Sequence, residues 1–413
     1  MTSGDAAFPE RLDVFCNLRG VRHFVGRLAQ RGRSLLFEYD RIFLASGIEL
    51  SPFKLPLRPG VFEDKDRTFG GLFGLFNDSL PDGWGLLLLD RVLRSKGMRL
   101  EDISPFRRLA VVGDGGMGAL EYIGGDKRSD GASRVPLLLD GLAEEARKIL
   151  AEEDSPLETV NELLRLGGSS GGARPKILAD VSADGSAILP AGMGGPGFAP
   201  WLIKFHAREE ARDQGLVEYI YSVMARDAGV EMPETRLFPS ATTDGFFGVA
   251  RFDRENGQKV HAHTACGLLH AEHRHASLDY ENLIKLTKVL TGDVREVEKM
   301  VRLMVFNAKG GNRDDHARNF SFLLDAQNHW KMAPAYDLTP SAGFSGEHSA
   351  MVNGKGRDIT DADLAAAASV ADVSGAMVRE AVQRTEEALS RFEQLKRELG
   401  QALPGAGRAY LLV

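Results

Sequence analysis

The chain has 413 residues, and its 51 basic and 58 acidic residues give a formal net charge of −7 at neutral pH. This length predicts two or three domains, because a single hydrophobic core rarely grows so large. Hydrophobic residues make up 43% of the chain and charged residues 26%, which indicates a globular rather than a disordered protein, and the acidic balance argues against a dedicated DNA-binding domain.

Cysteine content and the N-terminal sequence indicate the cellular compartment. Two cysteines, Cys16 and Cys266, lie far apart in the chain, which excludes a disulfide framework and a thiolate zinc site. The first residues lack the basic start and apolar core of a signal peptide. No run approaches the roughly 18 apolar residues that a membrane helix needs. We therefore expect a cytoplasmic protein with no membrane partner.

The first third of the chain is predicted to be rich in strands. "RLDVFCNL" and "SLLFEYD" place β-branched and aromatic residues near period two, which predicts two strands. "PDGWGLLLLDRVLRSKG" predicts a helix that follows Pro81 and Asp82 and stops at Gly97. The polar, glycine-bearing stretch 124–136 indicates a linker. An N-terminal β-rich subdomain is therefore predicted over residues 1–135.

Residues 136–255 are predicted to form an α/β lobe. A helix is expected from Ser155 to Leu166, where Ser155 and Glu158 have the spacing of a capping box. A second helix is expected over residues 215–228. Short strands are predicted at "KILAD", "AILPA", "WLIKF", "RLFPS" and "FFGVARFDR".

The remaining residues, 256–413, are predicted to form a helical C-terminal lobe. Apolar residues recur with a 3.6-residue period at 282–290, 293–308 and 376–399. Together the three regions predict an α+β protein with a small sheet, one main helix and a larger helical lobe.

The segment "GGSSGGARPK" at residues 167–176 could bind phosphate. Its glycines and serines allow backbone N–H groups to point at a ligand without obstruction by Cβ atoms. It matches neither the Walker pattern nor the dinucleotide fingerprint. A flexible linker between lobes is the alternative interpretation.

Lys204 is the one charged residue of "WLIKF" and is predicted to have a charged partner. An unpaired ammonium on an inner strand face would be very costly to bury. Glu218 lies on the predicted helix that follows. A strand lysine paired with a helix glutamate is how protein kinases hold the phosphates of ATP. The alternative is a solvated edge-strand lysine.

The stretch "GGNRDDHARNFSF" at residues 310–322 has the spacing of a kinase catalytic loop. Asp314 precedes Asn319 by five positions, as the base precedes the metal-binding asparagine in H-R-D-x-x-x-x-N. Asp337, in "APAYDLTPS", follows an aromatic residue as a magnesium-binding aspartate does. Asp315 could be the base instead, and His316 is interpreted as a structural hydrogen-bonding residue.

Metal cages are the alternative explanation for these polar clusters. The adjacent side chains of "DDH" rarely converge on one ion. The histidines of "HAHTACGLLHAEHRH" do not form a recognised ligand pattern such as H-E-x-x-H, so a polar loop is expected there.

Seven segments in order resemble the HipA family of bacterial serine/threonine kinases. They are "LFNDSLPDGW", "GGARPKI", "WLIKF", "VEYIYSVMARDAGV", "VARFDR", "NRDDHARNFSF" and "APAYDLTPSA". The resemblance spans about residues 12 to 400. It implies an atypical, two-lobe protein-kinase-like fold, with a β-rich N-terminal subdomain and an all-helical C-terminal lobe.

The resemblance also implies residue roles with ATP and Mg²⁺ as cofactors. Asp314 would be the catalytic base, and Asn319 and Asp337 would ligate the metal. A serine of the glycine-rich loop would be autophosphorylated, either Ser169 or its neighbour Ser170. Ala250 and Phe252 would lie near the adenine. The other nucleotide contacts that the resemblance implies are Lys204, Glu218, Ser169, Ser170, Gly171, Gly172, Lys176, His316 and Asn319.

Family members of known action are toxins that phosphorylate aminoacyl-tRNA synthetases and are neutralised by a small helix-turn-helix antitoxin. The resemblance therefore implies a protein substrate, such an antitoxin as partner, and contact with DNA only through it. Two departures are present: Arg174 replaces the usual glutamine, and "HAHTACGLLHA" replaces an "HQEDxCQ"-like segment. A HipA-like kinase for a small molecule or lipid and a non-catalytic ATP-binding partner are the alternatives.

Overall fold

The computed structural model describes residues 9–124, 135–167, 171–207, 210–271 and 278–402. The strands of these residues are β1 (Arg11–Leu18), β2 (Val21–Arg31), β3 (Ser34–Tyr39), β4 (Val61–Glu63), β5 (Leu120–Ile123), β6 (Lys176–Ser182), β7 (Ile188–Pro190), β8 (Phe198–Lys204), β9 (Thr235–Phe238), β10 (Phe246–Ala250), β11 (Arg254–Glu255), β12 (Gln258–Lys259), β13 (His261–Thr264), β14 (Ser321–Leu324) and β15 (Trp330–Met332).

Helices dominate the second half of the described chain. The α-helices are α1 (Arg41–Ser46), α2 (Gly74–Asn77), α3 (Gly83–Ser95), α4 (Pro105–Val112), α5 (Leu139–Leu150), α6 (Leu157–Gly167), α7 (Gln214–Asp227), α8 (Ala265–Leu269), α9 (Tyr280–Thr291), α10 (Val294–Gly310), α11 (Asp361–Ser369), α12 (Gly375–Ser390) and α13 (Phe392–Ala402). None of them, within the residues described, combines the length and apolar character needed to cross a bilayer.

An antiparallel N-terminal sheet of order β4-β3-β2-β1-β5 forms the first layer. β1 and β3 follow the predicted period of two, and Leu12, Val14 and Cys16 alternate into the interior of the sheet. The two strands predicted from the sequence here are confirmed.

The helix predicted after Asp82 is α3, and it packs away from this sheet. Trp84 and Leu88 of α3 lie in one core with α5, α6 and β6. Gly97, with φ of +73°, follows the helix as predicted, because glycine adopts this left-handed conformation without strain.

The capping box predicted at Ser155 is wrong. Helix α6 begins two residues later, at Leu157, and the buried hydroxyl of Ser155 has no hydrogen-bond partner. The carbonyl of Pro156 instead accepts from the N–H groups of Thr159 and Val160. Ser155 therefore lies one residue too early for its side chain to cap the helix.

A second antiparallel sheet, here called the central sheet, has the order β7-β6-β8-β10-β9 and contains all five strands predicted for this region. In its β6–β8 pair Lys176 lies opposite Lys204, so both amines reach the same face at the same end of the sheet. Helix α7 packs on β9 and β10 and joins the C-terminal helices in one core.

The C-terminal region was expected to be all-helical, and this expectation is wrong. β13, β14 and β15 form a third antiparallel sheet, with His261 opposite Leu324. Leu323 and Leu324 are buried, so this short sheet is part of the interior. The stretch predicted as helical over 376–399 is divided at Arg391, which pairs with Asp227 of α7 at 2.6 Å. The mixed helix and sheet content predicted from the sequence is confirmed.

Candidate functional site

The ammonium of Lys204, at the end of β8, lies between two carboxylates. Glu218 on α7 accepts a hydrogen bond from it, and Asp337 Oδ1 lies 2.5 Å from Lys204 Nζ. Burial alone would lower the pKa of Lys204, but the two carboxylates outweigh it and hold that pKa above its ordinary value. The three side chains form a charged triad in which the lysine stays protonated.

Asp337 is the most exposed member of the triad. Its side chain is about one third exposed, while that of Glu218 is almost completely buried. The Lys204 ammonium holds the pKa of Asp337 well below its usual range, so the carboxylate is ionised. Asp337 has a φ of +60°, a strained conformation that aspartate tolerates and that is enriched at functional sites.

Asp314 and Asn319 lie in the loop between α10 and β14. The Asp314 side chain is 60% exposed, and His316 Nε2 lies 3.9 Å from its Oδ1. Partial burial raises the pKa of Asp314. His316 lowers this pKa and the carboxylate of Asp337 raises it, and the net effect is a raised pKa. The Asn319 side chain donates to the Asp314 carbonyl at 2.7 Å, so its amide oxygen is the atom that remains for a cation.

Asp315 points away from this site into the protein interior. It is completely buried and accepts hydrogen bonds from Tyr280 Oη and His348 Nδ1, both at 2.9 Å. The backbone N–H groups of Ser349 and Ala350 also donate to it, at 2.8 and 3.1 Å. A carboxylate with four donors in the interior anchors the loop, and it is not available to an incoming hydroxyl.

The end of the glycine-rich segment lies beside the triad. Lys176 Nζ donates to the carbonyl of Gly171, and Gly172 follows directly. Burial and the nearby Lys204 ammonium lower the pKa of Lys176 to about 8. Ser169 and Ser170 lie outside the described residues.

Arg174 was not among the site residues predicted from the sequence, although it was noted as a departure from the family pattern. Its Nη1 lies 2.5 Å from Glu218 Oε2, and its Nε lies 2.9 Å from Glu210 Oε1. Glu218 therefore holds Lys204 with one oxygen and Arg174 with the other. This adds a second cation to the triad.

The predicted adenine contacts lie at the end of β10. The Ala250 N–H donates to the Glu234 carbonyl at 2.8 Å. Phe252 packs against Tyr336, with ring centroids 5.3 Å apart. Because Tyr336 directly precedes Asp337, an aromatic pair joins the strand end to the triad. No sequence signal identifies Tyr336 apart from its place directly before Asp337.

The histidine-rich segment forms structural contacts. The expectation of a polar loop is wrong for residues 261–264, because they form β13, with His261 and His263 buried. His261 Nε2 is hydrogen-bonded to the Leu50 carbonyl at 2.9 Å, and His263 Nδ1 to Asp78 Oδ2 at 2.6 Å. Thus the departure from the family pattern holds the N-terminal sheet region against the third sheet.

No cluster of three or more His, Cys, Asp or Glu side chains suited to a metal ion occurs among the residues described, and His273 and His275 lie outside them. The site is instead a group of cations and carboxylates that interact with one another. Its cations are Arg174, Lys176 and Lys204, and its carboxylates are Glu218, Asp314 and Asp337.

Two family models match the chain. A model described as the HipA N-terminal domain matches residues 12–123, and one described as the HipA-like C-terminal domain matches residues 168–398. The second match alone covers more than half of the chain. The chain belongs to the HipA family. The resemblance identified from the sequence motifs is therefore confirmed.

Relatives and a solved structure agree with this membership. The candidate kinase Y4dM of Sinorhizobium fredii is 24% identical over 249 residues, which are 55% of this chain and 58% of Y4dM, less than two thirds of its length. The candidate kinase Y4mE of the same organism is 28% identical over 360 residues, or 82% of this chain and 80% of Y4mE.

A chain in the solved Shewanella oneidensis complex of HipA, HipB and operator DNA has the same fold. It aligns with a TM-score of 0.70 at 19% identity, and the alignment covers 96% of this chain and 92% of that one. At this identity the likeness establishes a shared fold and leaves activity to the residues of the site.

Proposed function

We propose that this protein is a serine/threonine protein kinase that transfers the γ-phosphoryl group of ATP with Mg²⁺. The observation that carries the proposal is the joining of Lys204, Glu218 and Asp337 in one ion-paired group. The loop of Asp314 and Asn319 opens beside that group. We further propose the three-part division at residues 135 and 255 and a two-lobe, kinase-like arrangement.

The donor set of the site fits Mg²⁺. The ion prefers carboxylate and amide oxygens together with substrate phosphates. Asp337 supplies an ionised carboxylate, and Asn319 supplies an amide oxygen whose nitrogen is already used in the loop. When bound, the ion would neutralise charge that develops on the phosphates during transfer. We propose Asn319 and Asp337 as its ligands.

The cationic side chains of the site would bind the nucleotide. Lys204 and Lys176 lie on one face of the central sheet and would contact phosphate oxygens. Gly171 and Gly172 offer a backbone without Cβ atoms close to the phosphates. We propose that Ala250 and Phe252 border the adenine and that His316 supports the nucleotide side of the loop.

Asp314 is the proposed base because it is a partly exposed carboxylate next to the triad. The hydroxyl proton of the acceptor passes to Asp314 as the hydroxyl oxygen bonds the γ-phosphorus. The bond from the γ-phosphorus to the β,γ-bridging oxygen breaks, and ADP leaves. Lys204 remains protonated throughout, because Glu218 and Asp337 stabilise its charge.

One exposed aromatic residue favours a protein substrate over a small molecule or lipid. Phe344 is 91% exposed and is the first residue of a tight turn, which its bridge to Glu347 closes. A Cβ atom on Gly343 would lie 2.7 Å from the Arg313 Cβ, so the base of the turn packs on the residue that precedes Asp314. We propose that this exposed ring, which follows a residue packed on Arg313, contacts an apolar side chain of a protein substrate.

Family membership supports a toxin role. We propose that the substrate is a component of translation such as an aminoacyl-tRNA synthetase, that phosphorylation slows growth, and that the protein acts in the cytoplasm. We also propose a small helix-turn-helix antitoxin as partner and contact with DNA through it. The solved Shewanella relative is a complex with HipB and operator DNA. Autophosphorylation of Ser169 or Ser170, next to Gly171, would then regulate the kinase.

Transfer from γ-³²P-labelled ATP into a cell extract tests the proposal. We expect labelled protein with the wild-type chain and none with Asp314→Ala, which should still bind ATP. Glu387→Ala removes an exposed carboxylate on α12 and is the matched control. Label in a small molecule alone would overturn the protein-kinase assignment, and an Asp314→Ala variant with full activity would overturn the assignment of the base.

A further inference from the structure

The turn before α3 contacts the glycine-rich segment and the catalytic loop at the same time. Asp82 Oδ1 accepts a hydrogen bond from the N–H of Gly172. Asp82 Oδ2 accepts from the guanidinium of Arg318, four residues after Asp314. Both charged side chains are mostly buried, at 22% and 14% exposure, so solvent screens this ion pair less than one on the surface.

The position of Asp82 makes these contacts unexpected. Asp82 is the N-cap residue of α3, where an aspartate side chain ordinarily accepts from the helix's own first N–H groups. Here the side chain makes no cap hydrogen bond. Its two oxygens bind residues 90 and 236 positions away along the chain instead. The Asp82 side chain therefore makes two long-range contacts in place of the usual N-cap hydrogen bond.

The backbone that follows Asp82 holds the same residue, Gly172, through its carbonyl. The Trp84 N–H donates to the carbonyl of Gly172 at 3.0 Å. A Cβ atom on Gly83 would lie 2.6 Å from the Ala173 Cα and 2.7 Å from the Gly172 oxygen. With its φ of +37°, Gly83 therefore lets the two backbones touch. Gly172 is thus fixed at its N–H by Asp82 and at its carbonyl by Trp84.

Helix α3 gives this contact a rigid base. Trp84 is buried in the core that α3 shares with α5, α6 and the central sheet. The segment it holds leads within four residues to Lys176, whose amine is at the phosphate side of the site. A rigid contact here fixes where the Gly171 and Gly172 backbone can present donors.

We propose that Asp82 is a positioning residue that sets the phosphate-binding end of the glycine-rich loop and links it to the catalytic loop through Arg318. The proposal rests on the proposed kinase function, since it assigns the loop to ATP phosphates. In this proposal Asp82 contacts neither ATP nor the acceptor. It acts by holding the Gly172 peptide and by keeping Arg318 paired beside the site.

Two substitutions separate the two contacts of Asp82. Asp82→Asn retains an oxygen that can accept from Gly172 but removes the ion pair, whereas Asp82→Ala removes both. We expect Asp82→Ala to weaken Mg-ATP binding about tenfold and Asp82→Asn to fall between it and the wild type, because hydrogen bonds to charged groups are among the stronger ones. Asp90→Asn is the control, since Asp90 lies on the same helix and pairs with the exposed Arg94.

Calorimetric titration with Mg²⁺ and a non-hydrolysable ATP analogue measures this without catalysis, and thermal unfolding of each variant is recorded beside it. The proposal is supported if Asp82→Asn loses some affinity for the analogue and Asp82→Ala loses more. In both variants KM for ATP should rise by a larger factor than the factor by which kcat falls. Unchanged analogue affinity in both variants, with only a lower melting temperature, overturns it and leaves Asp82 a structural residue. If Asp82→Ala does not fold, Asp82→Asn alone decides.

The same titration separates this proposal from the kinase assignment. A wild-type chain that binds no analogue would overturn both. A wild-type chain that binds it while the Asp82 variants bind equally well would overturn the positioning role alone. The double variant Asp82→Ala with Arg318→Ala should lose less than the sum of the single losses, because the two side chains share one interaction.

Discussion

Asp315 and His348 form a hydrogen bond of 2.9 Å in the interior of the C-terminal region, where both side chains are almost completely buried. Asp315 is the neighbour of the proposed base, yet the two aspartates face opposite ways. One is 60% exposed beside the triad, and the other ties the loop to residues 348–350. The adjacent carboxylates therefore differ in what they are free to do: Asp315 anchors the loop, and Asp314 is available for the proposed chemistry.

Substitution of the two aspartates should separate activity from stability. Asp315→Ala leaves four donors, three of them on buried residues, without their acceptor, and we expect it to lower the free energy of unfolding by about 3 kcal/mol or more. Asp314→Ala removes a mostly exposed side chain and should change it by less than about 0.5 kcal/mol while it abolishes transfer. Urea denaturation and labelling of the same preparations measure both quantities. Equal stability of Asp315→Ala and wild type would show that the anchor is not needed.

Local sequence pattern predicted much of this site and missed its long-range supports. The spacing of Asp314 and Asn319 and the single lysine of "WLIKF" are local features, and the structure brings Asp314 within electrostatic reach of Lys204. The partners of Asp315 lie more than thirty residues away in the sequence, one before it and three after it, so sequence proximity to Asp314 suggested a catalytic alternative. Such contacts depend on tertiary packing, and the pattern of neighbouring residues in one sequence does not reveal which distant residues come together.

Two further elements illustrate the same limit. Ser155 and Glu158 have the spacing of a capping box, but the helix begins after Pro156, whose carbonyl accepts its first backbone hydrogen bonds. Asp82 was predicted at a helix start and is found there, yet its side chain binds Gly172 and Arg318. Local rules placed both residues near a helix start, and the distant contacts set what each side chain does.

Arg174 should contribute to nucleotide affinity through Glu218. Arg174→Gln restores the residue usual in the family and removes a cation 2.5 Å from Glu218 Oε2. We expect KM for ATP to rise about three- to tenfold with a smaller change in kcat, because Glu218 loses a cationic partner beside the proposed phosphate site. Steady-state kinetics at several salt concentrations measure this.

Arg147→Gln is the matched control for Arg174, because it removes an exposed arginine that pairs with Glu144 on α5. An increase in KM of the same size in both variants would attribute the effect to net charge rather than to the contact with Glu218.

Lys176 should make ATP capture sensitive to alkaline pH. Its pKa is lowered from 10.5 to about 8 by burial and by Lys204, so the amine loses its proton as pH rises through 8. We expect kcat/KM for ATP to fall above about pH 8, because this ratio reports groups of the unliganded enzyme. Lys176→Arg should abolish that descending limb, since arginine stays charged.

The same shift has a consequence for folding. Between about pH 8 and 10.5 the unfolded chain binds a proton at Lys176 that the folded chain lacks. The contribution of Lys176 to the free energy of unfolding therefore rises with pH across that window. Denaturation of Lys176→Met and wild type across the window isolates this contribution as the difference between their slopes. Parallel slopes would contradict the lowered pKa.

Phe344 should affect the protein substrate and leave ATP alone. Phe344→Ala removes a ring that is 91% exposed, so we expect the free energy of unfolding to change by less than about 0.5 kcal/mol. We expect KM for the most strongly labelled extract protein, once purified, to rise several-fold, with KM for ATP unchanged. Ile42→Ala is the control, since Ile42 is 84% exposed on α1, in the N-terminal region. Equal kinetics of Phe344→Ala and wild type would remove the exposed ring as an argument for a protein substrate, and substrate choice would then depend on the loop of Asp314 itself.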